Sequence, residues 1–179
     1  AYSFFITYAN VDNWSPNKII TNKTNLLDKW IQSSLARLEN KVSEAMDSYN
    51  LQSAVKPFVA FIEDLTNWYI RRSRRRFWKA EDDNDKLEAY STLYEILLGL
   101  CKIAAPFTPF IAENIYKNLK TNEMPVSVHL CDFPSFKESE RDLILEAQMS
   151  LVISAVEQGR ALRTEYKLKN RQPLSRLFI

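Results

Sequence analysis

Glycine is nearly missing: only Gly99 and Gly159 occur in 179 residues. The tight turns of an all-β fold consume glycine, so this scarcity disfavours one and leaves long helices as the default. Histidine occurs once, at His129. With one imidazole and two separated glycines, neither a nucleophile–histidine set nor a phosphate-cradling glycine loop is expected, and a freestanding enzyme is disfavoured. The two cysteines, Cys101 and Cys131, make no disulfide framework, which fits a reducing cytosol. Cys101 sits in an apolar helical run and reads as core. His129 and Cys131 offer two metal ligands, but nothing nearby completes a set, so no metal site is expected. No stretch approaches the ~20 apolar residues of a membrane span. The opening run Ala1–Tyr8 is aromatic without a basic region, so it is not a signal peptide. It lacks a starting Met, and Leu174–Ile179 stops within an apolar run, so the chain reads as a piece of a longer one.

Apolar residues make up 46% of the sequence, enough for one globular domain with a real core. The net charge of +2 hides segregation. Residues 71–79 hold five arginines and Lys79. Residues 160–179 hold Arg160, Arg163, Lys167, Lys169, Arg171 and Arg176 against Glu165 alone. The remainder is acidic. Two basic islands on an acidic background place positive potential where a polyanion can lie.

Apolar residues at steps of three and four predict five helices. The first starts at Asn25 and carries Leu27, Trp30, Ile31, Leu35, Leu38, Val42, Met46 and Tyr49, with Asn50 as its breaker. The second covers roughly 52–78, with Pro57 in an early turn or at a kink. The acidic connector Glu81, Asp82, Asp83 and Asp85 precedes a third, about 84–104, apolar on most sides and therefore central in a bundle. Thr108 caps a fourth, about 109–120, with Pro109 at its first position. Val126–Leu130 alternates like a lone strand. The fifth covers about 138–165. The fold class is all-α, a bundle of about five helices.

The densest chemistry lies at Asn67-Trp68-Tyr69-Ile70-Arg71-Arg72-Ser73-Arg74-Arg75-Arg76-Phe77-Trp78. Arginine supplies a permanent charge and a planar fork suited to phosphate; tryptophan supplies a stacking face. That pairing is what looped or single-stranded RNA needs. Candidate RNA-binding residues are Asn67, Trp68, Arg71, Arg72, Arg74, Arg75, Arg76 and Trp78, joined by Arg160, Arg163, Lys167, Lys169 and Arg171 of the second island. Two bland readings stay open. The arginines could be a structural cluster salt-bridged to the acidic connector, and the second island a plain helix end and linker. Trp68 and Trp78 have core readings too, and Tyr69 lies on the apolar stripe.

The string Trp68–Trp78 resembles the isoleucyl-tRNA synthetases of class I. Tyr2-Ser3-Phe4-Phe5 with Tyr8-Ala9-Asn10, Leu27-Asp28-Lys29-Trp30-Ile31, Ala104-Ala105-Pro106-Phe107-Thr108-Pro109-Phe110, Ser127-Val128-His129-Leu130 and Lys169-Asn170-Arg171-Gln172-Pro173-Leu174 match in order. The Ala-Pro-Phe-x-Pro turn alone fits the valine and leucine enzymes too. The resemblance implies the helical anticodon-binding domain, docking the anticodon stem-loop of isoleucine tRNA. It divides the chain into the end of a linker from a catalytic core (1–22), a bundle (23–136), and a last helix with basic linker (137–179). The family's His-Ile-Gly-His and Lys-Met-Ser-Lys-Ser motifs are absent, so no catalytic residue is expected here. ATP and Mg belong to the implied full-length enzyme, a cytoplasmic monomer whose other domains would be partners. The alternatives are the same domain of a valine or leucine enzyme, or a helical protein-interaction module with structural arginines.

Overall fold

A computed structural model describes residues 1–20, 22–78, 83–135 and 137–176. Lys79, Glu81, Asp82 and Leu177–Ile179, which entered the charge and end readings above, lie outside the described residues. The chain divides into two compact units, Ala1–Arg141 and Asp142–Ile179. Among the described residues there are helices and turns and no strand.

The first unit holds α1 (Tyr2–Val11), α2 (Leu26–Asp47), α3 (Leu51–Glu63), a π-helical segment (Asp64–Ile70), α4 (Arg71–Trp78), α5 (Asp83–Ala104) and α6 (Pro109–Leu119). α5 is the central rod. Its buried residues, among them Glu88, Tyr90, Leu93, Tyr94, Leu97 and Cys101, fall on most of its circumference, and α1, α2, α4 and α6 all pack on it. Burial pushes the Cys101 thiol up to about 12, so it behaves as an inert small apolar group.

α2 begins where Asn25 Oδ1 accepts from the Leu27 N–H at 2.9 Å. Its start is clamped from α5. Buried Glu88 accepts from the N–H groups of Thr24 at 2.6 Å and Asn25 at 2.8 Å and from the Thr24 hydroxyl at 2.8 Å. Burial works to raise this carboxyl, but those donors prevail and hold it below the usual value. Asn50 ends the first pattern as expected, and its Oδ1 opens α3 by accepting from the Ser53 N–H at 3.0 Å.

α1 turns Phe5 and Ala9 into the core. Three expectations need correction. Tyr49 is not core; it follows the end of α2 with φ +55° and is exposed. Thr108 occupies the position before α6 but makes no side-chain cap, since its hydroxyl donates to the Ala104 carbonyl at 3.3 Å. Val126–Leu130 is no strand. Val128–Leu130 forms a 3-10 turn held to α6, with Glu113 Oε2 accepting from the Ser127 hydroxyl and the Val128 N–H, each at 2.9 Å. A lone alternating segment has no ladder partner, so the buried Val128 and a carboxylate decide its shape instead.

The second unit is α7 (Leu143–Glu165) and the turns after it. Asp142 Oδ1 caps α7 by accepting from the Leu145 N–H at 2.9 Å. A separate 3-10 turn, Glu138–Glu140, takes the place of the first turn expected of this helix.

Candidate nucleic-acid interface

Backbone geometry separates the arginines of the first island. The sequence reads as one helix from 52 to 78, but its middle, Asp64–Ile70, is π-helical, with α-helix on both sides. A π segment carries an extra residue per turn and re-aims everything after it. Beyond it, Ser73 and Phe77 face inward, four residues apart, and Phe77 is fully buried. Phe77 packs edge-on against Tyr90 of α5 with ring centroids 4.9 Å apart and against Phe4 of α1 at 5.0 Å. With that face committed to the core, Arg71, Arg72, Arg74 and Arg75 stand exposed.

Arg76 goes the other way. Its two terminal nitrogens donate to the two oxygens of Asp28, each at 2.8 Å, and its Nε donates to Asp85 Oδ1 at 2.9 Å. Asp28 is fully buried and also accepts from the Tyr69 hydroxyl at 2.7 Å. Burial works against the Arg76 charge, but Asp28 and Asp85 overcome it and hold the guanidinium protonated more firmly than usual. Burial also pushes the Tyr69 phenol far up, so it stays a donor. The side chain of Arg76 is 11% exposed, and its fork is spent on two carboxylates. The salt-bridged reading therefore holds for this one arginine. Its partners are Asp28 and Asp85; Glu81 and Asp82 of the connector lie outside the described residues.

Trp68 is 9% exposed, with the Arg72 guanidinium 5.7 Å from its ring centre. Its core reading holds: little of the ring is open for stacking. Tyr69 is core, as its place on the stripe implied. Trp78 differs. It is 57% exposed and touches Tyr8 with centroids 6.3 Å apart, leaving part of the ring open. Asn67 is exposed. The Arg74 guanidinium lies 5.9 Å from the Phe4 ring centre, so α1 helps to orient it. No carboxylate among the described residues pairs with Arg71, Arg72, Arg74 or Arg75. Unit one thus presents four cations without carboxylate partners among the described residues and one half-open indole along α4, with the Asn67 amide in the π-helical segment that precedes it.

In the second unit, Arg160 is exposed on the last turns of α7. Arg163 is a brace: its Nη1 donates to the carbonyls of Lys169 and Gln172, each at 2.9 Å. Those bonds fold the segment after α7 back on itself, with Lys167 at φ +55°. Lys167, Lys169 and Arg171 are exposed on that fold.

Sequence reasoning missed the carboxylate clasp. The signal was there: Asp28 keeps step with Ile31, Leu35, Leu38 and Val42, an acid in phase with an apolar stripe. An acid in that position needs a cation, and Arg76 falls seven residues, two turns, after Tyr69. His129 and Cys131 gain no further ligand: no three His, Cys, Asp or Glu gather for a metal ion among the described residues. The Cys131 sulfur lies 3.2 Å from the Tyr116 hydroxyl.

The family model for the anticodon-binding domain of tRNA ligase matches residues 28–178. The chain belongs to this family. Relatives of the anticodon-binding domain agree along its whole length. An isoleucine–tRNA ligase of Protochlamydia amoebophila is 50% identical over 175 residues, which cover 98% of this chain and 17% of the relative. One from Chlamydia pneumoniae is 49% identical over 99% of the chain and 17% of its own length. One from Treponema denticola is 45% identical over all of the chain and 18% of its own length. The chain therefore spans about a sixth of the curated relatives it matches. Within the anticodon-binding domain, the arginine-rich helix α4 and the clasp beneath it both lie inside the matched span.

Proposed function

We propose that this domain holds the anticodon stem-loop of isoleucine tRNA, as part of an isoleucine–tRNA ligase. The observation that carries the reading is α4: four exposed arginines without carboxylate partners among the described residues, beside the half-open indole of Trp78. Arg71, Arg72, Arg74 and Arg75 take phosphates, and Trp78 stacks on a splayed base while Asn67 reads its edge. Arg76 and Trp68 position that face from below. In the second unit, Arg160, Lys167, Lys169 and Arg171 contact backbone phosphates of the stem, and Arg163 sets the fold that presents them. The domain's part in the reaction is positioning: the stem-loop is held so that the acceptor end reaches a distant active site.

On this reading residues 1–22 end the linker from the catalytic core, 23–136 form the bundle, and 137–179 lead toward a C-terminal region. The complete enzyme would attach isoleucine to its tRNA in the cytoplasm as a monomer, with ATP and Mg bound by its other domains. Among the described residues no helix is long and apolar enough to cross a membrane. The rival reading, structural arginines in a protein-interaction module, is favoured by observations at Arg76 and Arg163 alone among the candidate arginines.

Competition among tRNAs tests the proposal. Isoleucine tRNA should be retained by this chain over valine and leucine tRNAs, with the retention lost at high salt. Preferential retention of valine or leucine tRNA would reassign the amino acid. Failure to bind any tRNA at low salt would overturn the RNA reading.

A further inference from the structure

A cavity of about 320 Å³ opens in the first unit, lined by α2, α5 and the Glu138–Glu140 turn. Leu35, Ala36 and Ile96 give it an apolar wall, and Glu39, Glu95 and Glu140 line it as well. Glu95 is already matched: the Gln32 amide donates to it at 2.9 Å and the Lys23 ammonium lies 3.3 Å away. Glu39 is not. It is 7% exposed, and its Oε1 has no hydrogen-bond partner among the described residues. Glu140 has no ion-pair partner among them either, and it faces Glu39 closely enough to repel it. Burial, with Glu140 second, pushes the Glu39 carboxyl above its usual range. A buried acid without a donor, opposite a second acid, costs stability until a cation arrives. The three acids do not converge as a bare metal ion requires. An apolar wall ending at carboxylates suits a weakly hydrated cation on a hydrocarbon stem.

We propose that this cavity binds an organic cation, a guanidinium or primary ammonium on an apolar stem, with Glu39 and Glu140 receiving the charge and Leu35, Ala36 and Ile96 lining the stem. The same chemistry is offered by a free diamine-like cation and by an arginine or lysine side chain from elsewhere in the polypeptide. The proposal does not depend on the anticodon reading.

The test is an NMR titration of this chain with agmatine, followed on the methyl groups of Leu35, Ala36 and Ile96. Saturable shifts at those methyls are expected. Glu39→Gln should weaken binding about tenfold or more, the loss of one charge-assisted contact, without lowering the melting temperature. Glu140→Gln, on an exposed turn, should weaken it as well and serves if the first variant misfolds. Absence of saturable shifts, equal affinity in both variants, or the same shifts from magnesium chloride would overturn the proposal. Titration of the full-length polypeptide then separates the sources. Agmatine bound there too means a free cation; agmatine excluded there but bound by this chain means that a side chain of the polypeptide fills the cavity.

Discussion

At the scale of single residues, six consecutive positions of similar composition do opposite work. Arg76 is buried on two carboxylates, and removing it would strand the fully buried Asp28. Arg76→Gln should therefore cost about 3–5 kcal/mol, measured by urea unfolding. Arg72→Gln, at an exposed position, should change stability by no more than about 0.5 kcal/mol. A similar loss in both would contradict the separation of the two side chains. Glu88 makes a pH-dependent contribution. Its folded carboxyl is held below the usual value, so its stabilisation is present above the unfolded value of about 4.3 and fades as pH falls through the depressed one. Glu88→Gln should cost about 1.5–3 kcal/mol near neutrality, and the gap to the parent protein should narrow on acidification. Glu39 has the opposite sign. Its raised value means that the charged form opposes folding, so Glu39→Gln should be the more stable protein at neutral pH, with the advantage shrinking in acid.

At the scale of elements, the two glycines sit in contrasting surroundings. A Cβ on Gly99 would approach Leu35 Cδ2 to 2.8 Å, so this glycine lets α5 and α2 approach closely. A Cβ on Gly159 of α7 would meet nothing within 4 Å. Gly159→Ala should raise the thermal stability of α7 by up to about 1 kcal/mol, since only helix propensity changes. Gly99→Ala should gain less, because the Leu35 tip must move. Helices were the legible part of this sequence. The spans about 84–104 and 109–120 were readable from apolar spacing and match α5 and α6 to within a residue or so. The π-helical segment was not readable, because Thr66-Asn67-Trp68 has ordinary helix composition and the widened turn depends on tertiary contacts. α1 carried a signal that its aromatic content obscured: Phe4, Phe5, Tyr8 and Ala9 stand at helical spacing and are the residues it turns inward. Val126–Leu130 misled because alternation over five residues is too short to outweigh a side-chain clamp from Glu113.

At the scale of the whole molecule, charge segregation was plain in the sequence, but which cations are free was not. Composition counts Arg76 with its neighbours and Arg163 with Lys167, whereas hydrogen bonds take both out of the free set. The central claim is that the exposed side of α4 is the RNA-binding face. It is tested most directly by binding of this chain to a fluorescent isoleucine tRNA anticodon stem-loop across a salt series, beside a variant with Arg72, Arg74 and Arg75 changed to Gln. Each lost phosphate contact should reduce the slope of log affinity against log salt by about 0.7–0.9, so the variant's slope should fall by about 2–3 and its low-salt affinity should drop sharply, with helical content and melting unchanged. Equal affinity and equal slope in the two proteins would contradict the account and move the RNA contacts away from α4.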